Sequence, residues 1–183
     1  MRSVIEIRRL PASEVSMIAG IDRSEHVDVQ YEVRDGRIVE RPVFMADIPD
    51  WDRVGDGEHS LAHHLRACAE YLTAGGILLG AITDEGETAG ATIVDPGFEP
   101  PMAWLAWLHV SRPHRRLGVA HALWTEATAL ARAAGATSMY ISATPTGSAV
   151  GFYLAHSAVL ADTVHPVLFE HEPDDIHLVS PVS

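Results

Sequence analysis

The residues best suited to chemistry gather in one corner of the chain, Ser111-Arg-Pro-His-Arg-Arg-Leu-Gly-Val-Ala120. Gly118 and Ala120 are small where a helix would begin, and small residues let a ligand approach the backbone. The first N–H groups of a helix lack intrahelical partners and sit at the positive end of its dipole. An anion is the natural guest there, a pyrophosphate above all. Arg115 and Arg116 add positive charge. An ordinary tight strand-to-helix turn would use the same small residues. Other reactive types are scattered. Cys68 stands alone, so neither an intrachain disulfide nor a cysteine zinc cluster is expected. Its apolar neighbours suit a buried thiol better than a nucleophile. His59 and His63 are spaced to share a helix face, with His64 adjoining, but no third ligand accompanies them and no metal is expected. Gly-Lys-Ser/Thr is missing, which argues against a P-loop nucleotide site.

The elements that must position this corner can be read from pattern. Met102-Ala-Trp-Leu-Ala-Trp-Leu-His-Val110 has strand length and lies between Pro100-Pro101 and Pro113. Residues 119–134 have helix-forming composition, with Leu123, Ala127, Leu130 and Ala134 on one face and Gly135 as a stop. Earlier, residues 4–8 alternate as a first strand, and Pro11 opens a helix with Val15, Ile18 and Ala19 turned inward. Val27, Val29, Tyr31 and Val33 alternate with polar residues up to Asp35-Gly36, and Arg37 to Glu40 follow. Alternation on both sides of Asp-Gly predicts a type I′ hairpin, placed as an insertion over the substrate side. Residues 42–57 read as loop with Trp51 as an anchor. Ser60 caps a helix whose stripe is Leu61, Leu65, Cys68 and Leu72. Strands follow at 77–83 and 89–95. After the 119–134 helix come a strand at 138–142, a short helix over 149–156, and final strands at 159–160 and 176–179.

At 183 residues and 47% apolar composition the chain fits one domain, 1–183, with a sizeable core. No apolar run approaches the roughly 18 residues that span a bilayer. The N-terminus, with Glu6 in an alternating stretch, does not read as a signal peptide, so a cytoplasmic location without a membrane partner is expected. The net charge of −12 disfavours nucleic acid and is compatible with a cationic small molecule or basic peptide. Every basic residue is Arg; Lys and Asn are absent, which suggests a GC-rich genome, and no Arg follows Arg132.

Residues 108–123, Leu-His-Val-Ser-Arg-Pro-His-Arg-Arg-Leu-Gly-Val-Ala-His-Ala-Leu, resemble the acetyl-CoA-binding signature of the GNAT N-acetyltransferase superfamily. That signature is a strand, then Arg/Gln-x-x-Gly-x-Gly/Ala, then a helix, with Arg115, Gly118 and Ala120 at its marked positions. The likeness is specific over roughly residues 100–160 and topological elsewhere. It implies a mixed α/β (α+β) fold with a central mixed sheet flanked by helices, here with the added hairpin near 27–40. It implies acetyl-CoA as cosubstrate, a small-molecule or peptide amine as acceptor, and, because many relatives are dimers, leaves a homodimer open.

The resemblance also assigns residues. His109 and Val110 would offer backbone to pantetheine and an N–H to the thioester oxygen. Arg115, Arg116, Leu117, Gly118, Val119 and Ala120 would hold the pyrophosphate. Tyr153 sits where relatives keep a general acid for the thiolate, with Phe152 beside it. A phenol is protonated near neutrality and can serve that role; an aromatic core position is the alternative. Thr146 stands where relatives usually have Asn, so Thr146 or Ser148 would take over that contact, and Ser157-Ala158 replaces their Gly-Phe. Acetyl transfer also needs a neutral amine, hence a base or a desolvating pocket. Residues 102–110 lack the carboxylate that relatives often carry. His109 and Glu25 are the base candidates, with His26 and Glu32 behind them, and a water chain is the alternative. Trp104 and Trp107 suit the core or an acceptor pocket. Because Cys68 lies far from the signature, direct transfer is favoured over an acetyl-enzyme. A non-catalytic acyl-CoA-binding module on the same fold is the competing reading.

Overall fold

The computed structural model describes residues 4–182. Strand β1 (Ile5–Leu10) leads into a 3-10 helix, Ala12–Gly20, that buries Ile18. Two short strands, β2 (Glu25–His26) and β5 (Asp47–Ile48), pair with each other. Between them β3 (Gln30–Arg34) and β4 (Arg37–Arg41) form a hairpin. Its turn residues Asp35 and Gly36 have φ of 51° and 70°, both left-handed as a type I′ turn requires. Helix α1 (Leu61–Thr73) is capped by Ser60, whose Oγ accepts from His63 N–H at 3.1 Å. Strands β6 (Ile77–Thr83), β7 (Thr88–Glu99) and β8 (Met102–Val110) then run antiparallel in sequence. Helix α2 (Val119–Ala133), β9 (Ser138–Ala143), α3 (Gly147–Ala155), β10 (Val159–Leu160), α4 (Pro166–His171) and β11 (Ile176–Pro181) complete the chain.

The main sheet has the order β1-β6-β7-β8-β9-β11-β10. Among its pairs only β8 and β9 are parallel. One face packs α2 through Leu123, Trp124, Ala127 and Ala131; the alanines let helix and sheet approach closely. The other face packs α1 and the 3-10 helix through Cys68, Ile18, Ile21 and Trp51, against Leu78, Ile93 and Trp107. Cys68 is a fully buried thiol pushed up to about 12 by desolvation.

Several expectations are corrected by the structure. The strand read as 89–95 continues to Glu99, and the 42–57 loop contains β5. Helix α3 ends at Ala155, one residue before the end read from the pattern. Helix α4 lies in a stretch that carried no helical expectation. The hairpin forms its own small sheet and is stitched to the loop before α3, by Tyr31 N–H to Pro145 O at 2.9 Å and Gly147 N–H to Val29 O at 2.8 Å.

Candidate active site

The parallel pair is where the sheet opens. β8 and β9 are in register over Met102–Leu105 and Ser138–Ile141 and no further. In the β7–β8 ladder Val94 faces Leu105 while Ile93 faces Trp107, so Ala106 is an extra residue. Such a bulge bends its strand. From Ala106 to Val110 the edge of β8 that had faced β9 carries no strand. An open edge of this kind can pair with the amides of an extended ligand.

Directly after β8, a 3-10 turn at Arg112–His114 delivers the basic corner. Arg116 and Gly118 have φ of 59° and 86°. Left-handed residues in such a turn direct successive N–H groups into a concavity. Among the described residues, no hydrogen bond is donated by the backbone N–H of any residue from Arg116 to His121. A Cβ on Gly118 would meet no neighbour, so the concavity is open there. Bare amides at a helix N-terminus beside an exposed arginine have the chemistry to receive an anion.

The two arginines divide their work. Arg116 is exposed and forms no ion pair among the described residues. Arg115 turns inward. Its Nε–H donates to Val110 O, and its terminal nitrogens donate to Ser24 O and Arg23 O, each at 3.0 Å. Glu25 lies 3.7 Å from the same guanidinium. The Arg115 side chain thus fastens the 23–25 segment to the end of β8, and the exposed side-chain charge beside the bare amides is that of Arg116. The half-buried Glu25, a sequence candidate for the base, faces a permanent cation.

On the α2 face, Tyr153 is 6% exposed and packs on Trp124 at 5.7 Å and Phe152 at 5.2 Å. Its hydroxyl makes no hydrogen bond among the described residues. The phenol is raised well above its ordinary range, first by burial and then by the charges of Asp175 and Glu172. Phe152 leans on His156 at 4.3 Å. Thr146 is buried as the cap of α3, accepting from Ala149 N–H at 3.4 Å, with the exposed Ser148 hydroxyl 3.1 Å away.

The α1 face holds the remaining candidates. His109 packs against Trp107 at 4.4 Å and Trp51 at 5.5 Å. Desolvation, with the charges of His64, Arg23 and Arg115 behind it, depresses His109 to about 3. It is a neutral imidazole and too weak a base for the role offered to it. His64, 4.6 Å from Trp51, is lowered to about 4, again chiefly by burial. Arg23 stacks over Trp51 at 4.6 Å, and the Trp51 indole N–H donates to Ile21 O at 2.7 Å. Trp107 is buried and Trp104 half-buried, each with an indole N–H lacking a partner. His26 is exposed and bound to Asp47 at 2.7 Å, which raises it. Glu32 pairs with Arg34 on the hairpin.

A carboxylate pair missed in the sequence lies at the mouth of the opening. β11 runs antiparallel to β9 with Ile176 opposite Ala143, so Asp175 stands at the end where β9 has parted from β8. Burial pushes Asp175 up to about 7, and Glu172, Asp174 and Glu58 add to the rise. Glu172 is raised as well, chiefly by desolvation. Asp175 also lines a groove of about 460 Å³ between the hairpin and residues 160–177, with Glu32, Arg41 and Phe169. The sequence signal was the acidic run Glu170-His-Glu-Pro-Asp-Asp175 against a strand start, in a region without arginine.

Comparison with known proteins fits this geometry. The model of the Acetyltransferase (GNAT) family matches residues 43–156. No curated protein matches in sequence. Among solved structures, a nourseothricin acetyltransferase superposes with a TM-score of 0.72 at 18% identity, over 98% of this chain and 99% of that one. A Bacillus anthracis protein assigned as a streptothricin acetyltransferase, solved with acetyl coenzyme A, gives 0.61 at 17%, over 96% and 95%. The PaiA N-acetyltransferase of Thermoplasma acidophilum, in complex with coenzyme A, gives 0.60 at 13%, over 97% and 99%. At these identities the likeness is one of fold.

Proposed function

The chain belongs to the GNAT family of acetyltransferases, and we propose that residues 1–183 act as one acetyl-CoA-dependent N-acetyltransferase domain, passing acetyl directly to a primary amine. The observation that carries this reading is the unbroken run of bare amides from Arg116 to His121, beginning where the unpaired edge of β8 ends. The amides, with the Arg116 charge, would hold the pyrophosphate; Ala106 to Val110 would pair with pantetheine. The cosubstrate supplies an acetyl thioester, activated toward an amine. The Tyr153 hydroxyl, protonated and without a protein partner, is the donor for the departing sulfur. Cys68, sealed in the core, is unsuited to an acetyl-enzyme. The likeness in fold to nourseothricin and streptothricin acetyltransferases makes small-molecule amines the acceptors to test first.

The competing reading, an acyl-CoA-binding module without turnover, is favoured by the lack of a carboxylate on β8 and by the weakness of His109 as a base. One pair of measurements separates the two. Calorimetry with coenzyme A should show binding, and a thiol-release assay over an amine panel should show turnover with at least one acceptor. Binding with no thiol release across the panel would favour the module, and no heat at millimolar coenzyme A would defeat both readings.

A further inference from the structure

Building on the acetyltransferase reading, we propose that His121 and His156 form a one-proton clamp on a phosphate group of the cosubstrate, so that binding of coenzyme A draws a proton from solvent onto His121. The pair joins two helices. His121 stands in the first turn of α2, after Val119 and Ala120, and its backbone N–H is the last in the run of bare amides. His156 follows α3 as its C-cap. The ring centroids are 5.3 Å apart, and His121 Nδ1 lies 3.0 Å from His156 Nε2. His156 Nδ1 in turn lies 2.7 Å from Phe152 O.

Hydrogen-bond chemistry fixes the protons in this chain. A carbonyl oxygen only accepts, so His156 Nδ1 carries a hydrogen and donates it to Phe152 O. In a neutral pair His156 Nε2 is then a lone pair, and His121 Nδ1–H donates to it. The exposed His121 ring is left with an unprotonated Nε2, on the ring edge away from His156 and without a partner among the described residues. A lone pair there repels a phosphate oxygen. One added proton turns Nε2 into a charge-assisted donor, and the bonds to His156 and Phe152 keep their direction.

Opposed fields decide when that proton stays. The positive end of α2 and the Arg116 charge disfavour a cation on His121 in the absence of an anion. The C-terminal end of α3, where His156 sits, favours one. A phosphate on the cradle amides reverses the balance on the α2 side. The amides themselves are silent to pH; the histidines beside them make cosubstrate affinity fall as pH rises.

The groups around the pair come from α2, α3 and β11. Helix α2 gives Trp124 and, on the turn before it, Arg116; Glu126 lies on another face of that helix. Helix α3 gives Phe152 and Tyr153, whose phenol stays protonated. Strand β11 gives the Ser180 hydroxyl, which donates to His156 O at 2.9 Å. Among the described residues the histidines paired with carboxylates are His26, His114 and His165, so no protein anion competes for this pair.

The test is calorimetric titration of coenzyme A and of dephospho-coenzyme A into wild type, His121→Gln, His121→Arg and His156→Leu. Runs at about pH 7.5 in buffers of unlike ionisation enthalpy count the protons taken up. With coenzyme A, wild type should take up about half a proton or more beyond His121→Gln, a difference from which the ligand's own titration cancels. From about pH 7 to about pH 8.5 the wild-type Kd should rise about fivefold, while that of His121→Gln stays weak and flat. His121→Arg, with a permanent charge, should match wild-type affinity at about pH 7 without the uptake. His156→Leu should bind about threefold more weakly there, because nothing then orients the His121 ring. With dephospho-coenzyme A the uptake persists if the pair meets the pyrophosphate and disappears if it meets the 3′-phosphate, and either result supports the clamp. Equal uptake of coenzyme A-linked protons in wild type and His121→Gln, or unchanged binding in His156→Leu, overturns the proposal and leaves the acetyltransferase reading standing. No heat from coenzyme A in any of the four proteins strikes that reading and the clamp with it.

Discussion

At one end of the opened sheet, consecutive amides from Arg116 to His121 and a left-handed Gly118 follow one another along a single turn. On the α1 face, Trp51, His64 and His109 arrive from a loop, helix α1 and strand β8. The first region is made of backbone, does not titrate, and depends on local conformation. The second is made of side chains, holds groups far from their ordinary pKa, and depends on the whole sheet to assemble. Under the proposed function, the cosubstrate is met by the first region and the acceptor by the second. Tyr153 differs from both: a lone side chain packed on Trp124 of α2, its phenol raised first by burial and then by the charges of Asp175 and Glu172.

That difference makes Tyr153→Phe the sharpest way to break the comparison. If the hydroxyl serves the chemical step, kcat should fall about 100-fold, with KM for acetyl-CoA and for the acceptor little changed. The hydroxyl has no protein partner, so thermal stability should hold or rise slightly. Steady-state thiol release and a melting curve on one preparation check both. A changed Tm with an intact kcat would return Tyr153 to the core.

The cradle is tested next. Gly118 has φ of 86°, where a β-branched residue is strained by roughly 1–2 kcal/mol. Gly118→Val should raise KM for acetyl-CoA about tenfold and leave acceptor KM unchanged. If both constants rise together, the two regions are coupled through Arg115, which ties the loop at 23–25 to the end of β8.

The same contrast explains what could be read in advance. The strand–turn–helix unit is contiguous, so its pattern was legible, as was the hairpin through Asp35-Gly36. Helix α4 was not, because a six-residue helix has no amphipathic repeat and its cap is His165 rather than Ser, Thr, Asp or Asn. The direction of the Arg115 side chain is a tertiary fact that residue type does not encode. The position of Asp175 at the open end of the sheet is not legible because it follows from the β9–β11 pairing, which local spacing does not encode. His109 has the right residue type, but burial among aromatic rings, which spacing does not reveal, removes its basicity.

Acid stability gives the smallest effect and sharpens the comparison from the other side. His64 and His109 are neutral in the fold, lowered to about 4 and about 3. In the unfolded chain they take up protons below about pH 6.5, so their contribution is complete above that value and is lost as pH falls toward the folded values. Bare amides contribute nothing to this slope. Because His64 is only half-buried, solvent screening reduces the effect. Replacing His64 by Gln should flatten the decline, leaving the variant about 1 kcal/mol less destabilised than wild type between about pH 7.5 and pH 5. Denaturant melts at the two pH values measure it. Parallel slopes for His64→Gln and wild type would mean that the imidazole pair is wet, and the contrast between a titrating region and a silent one would lose its histidine half.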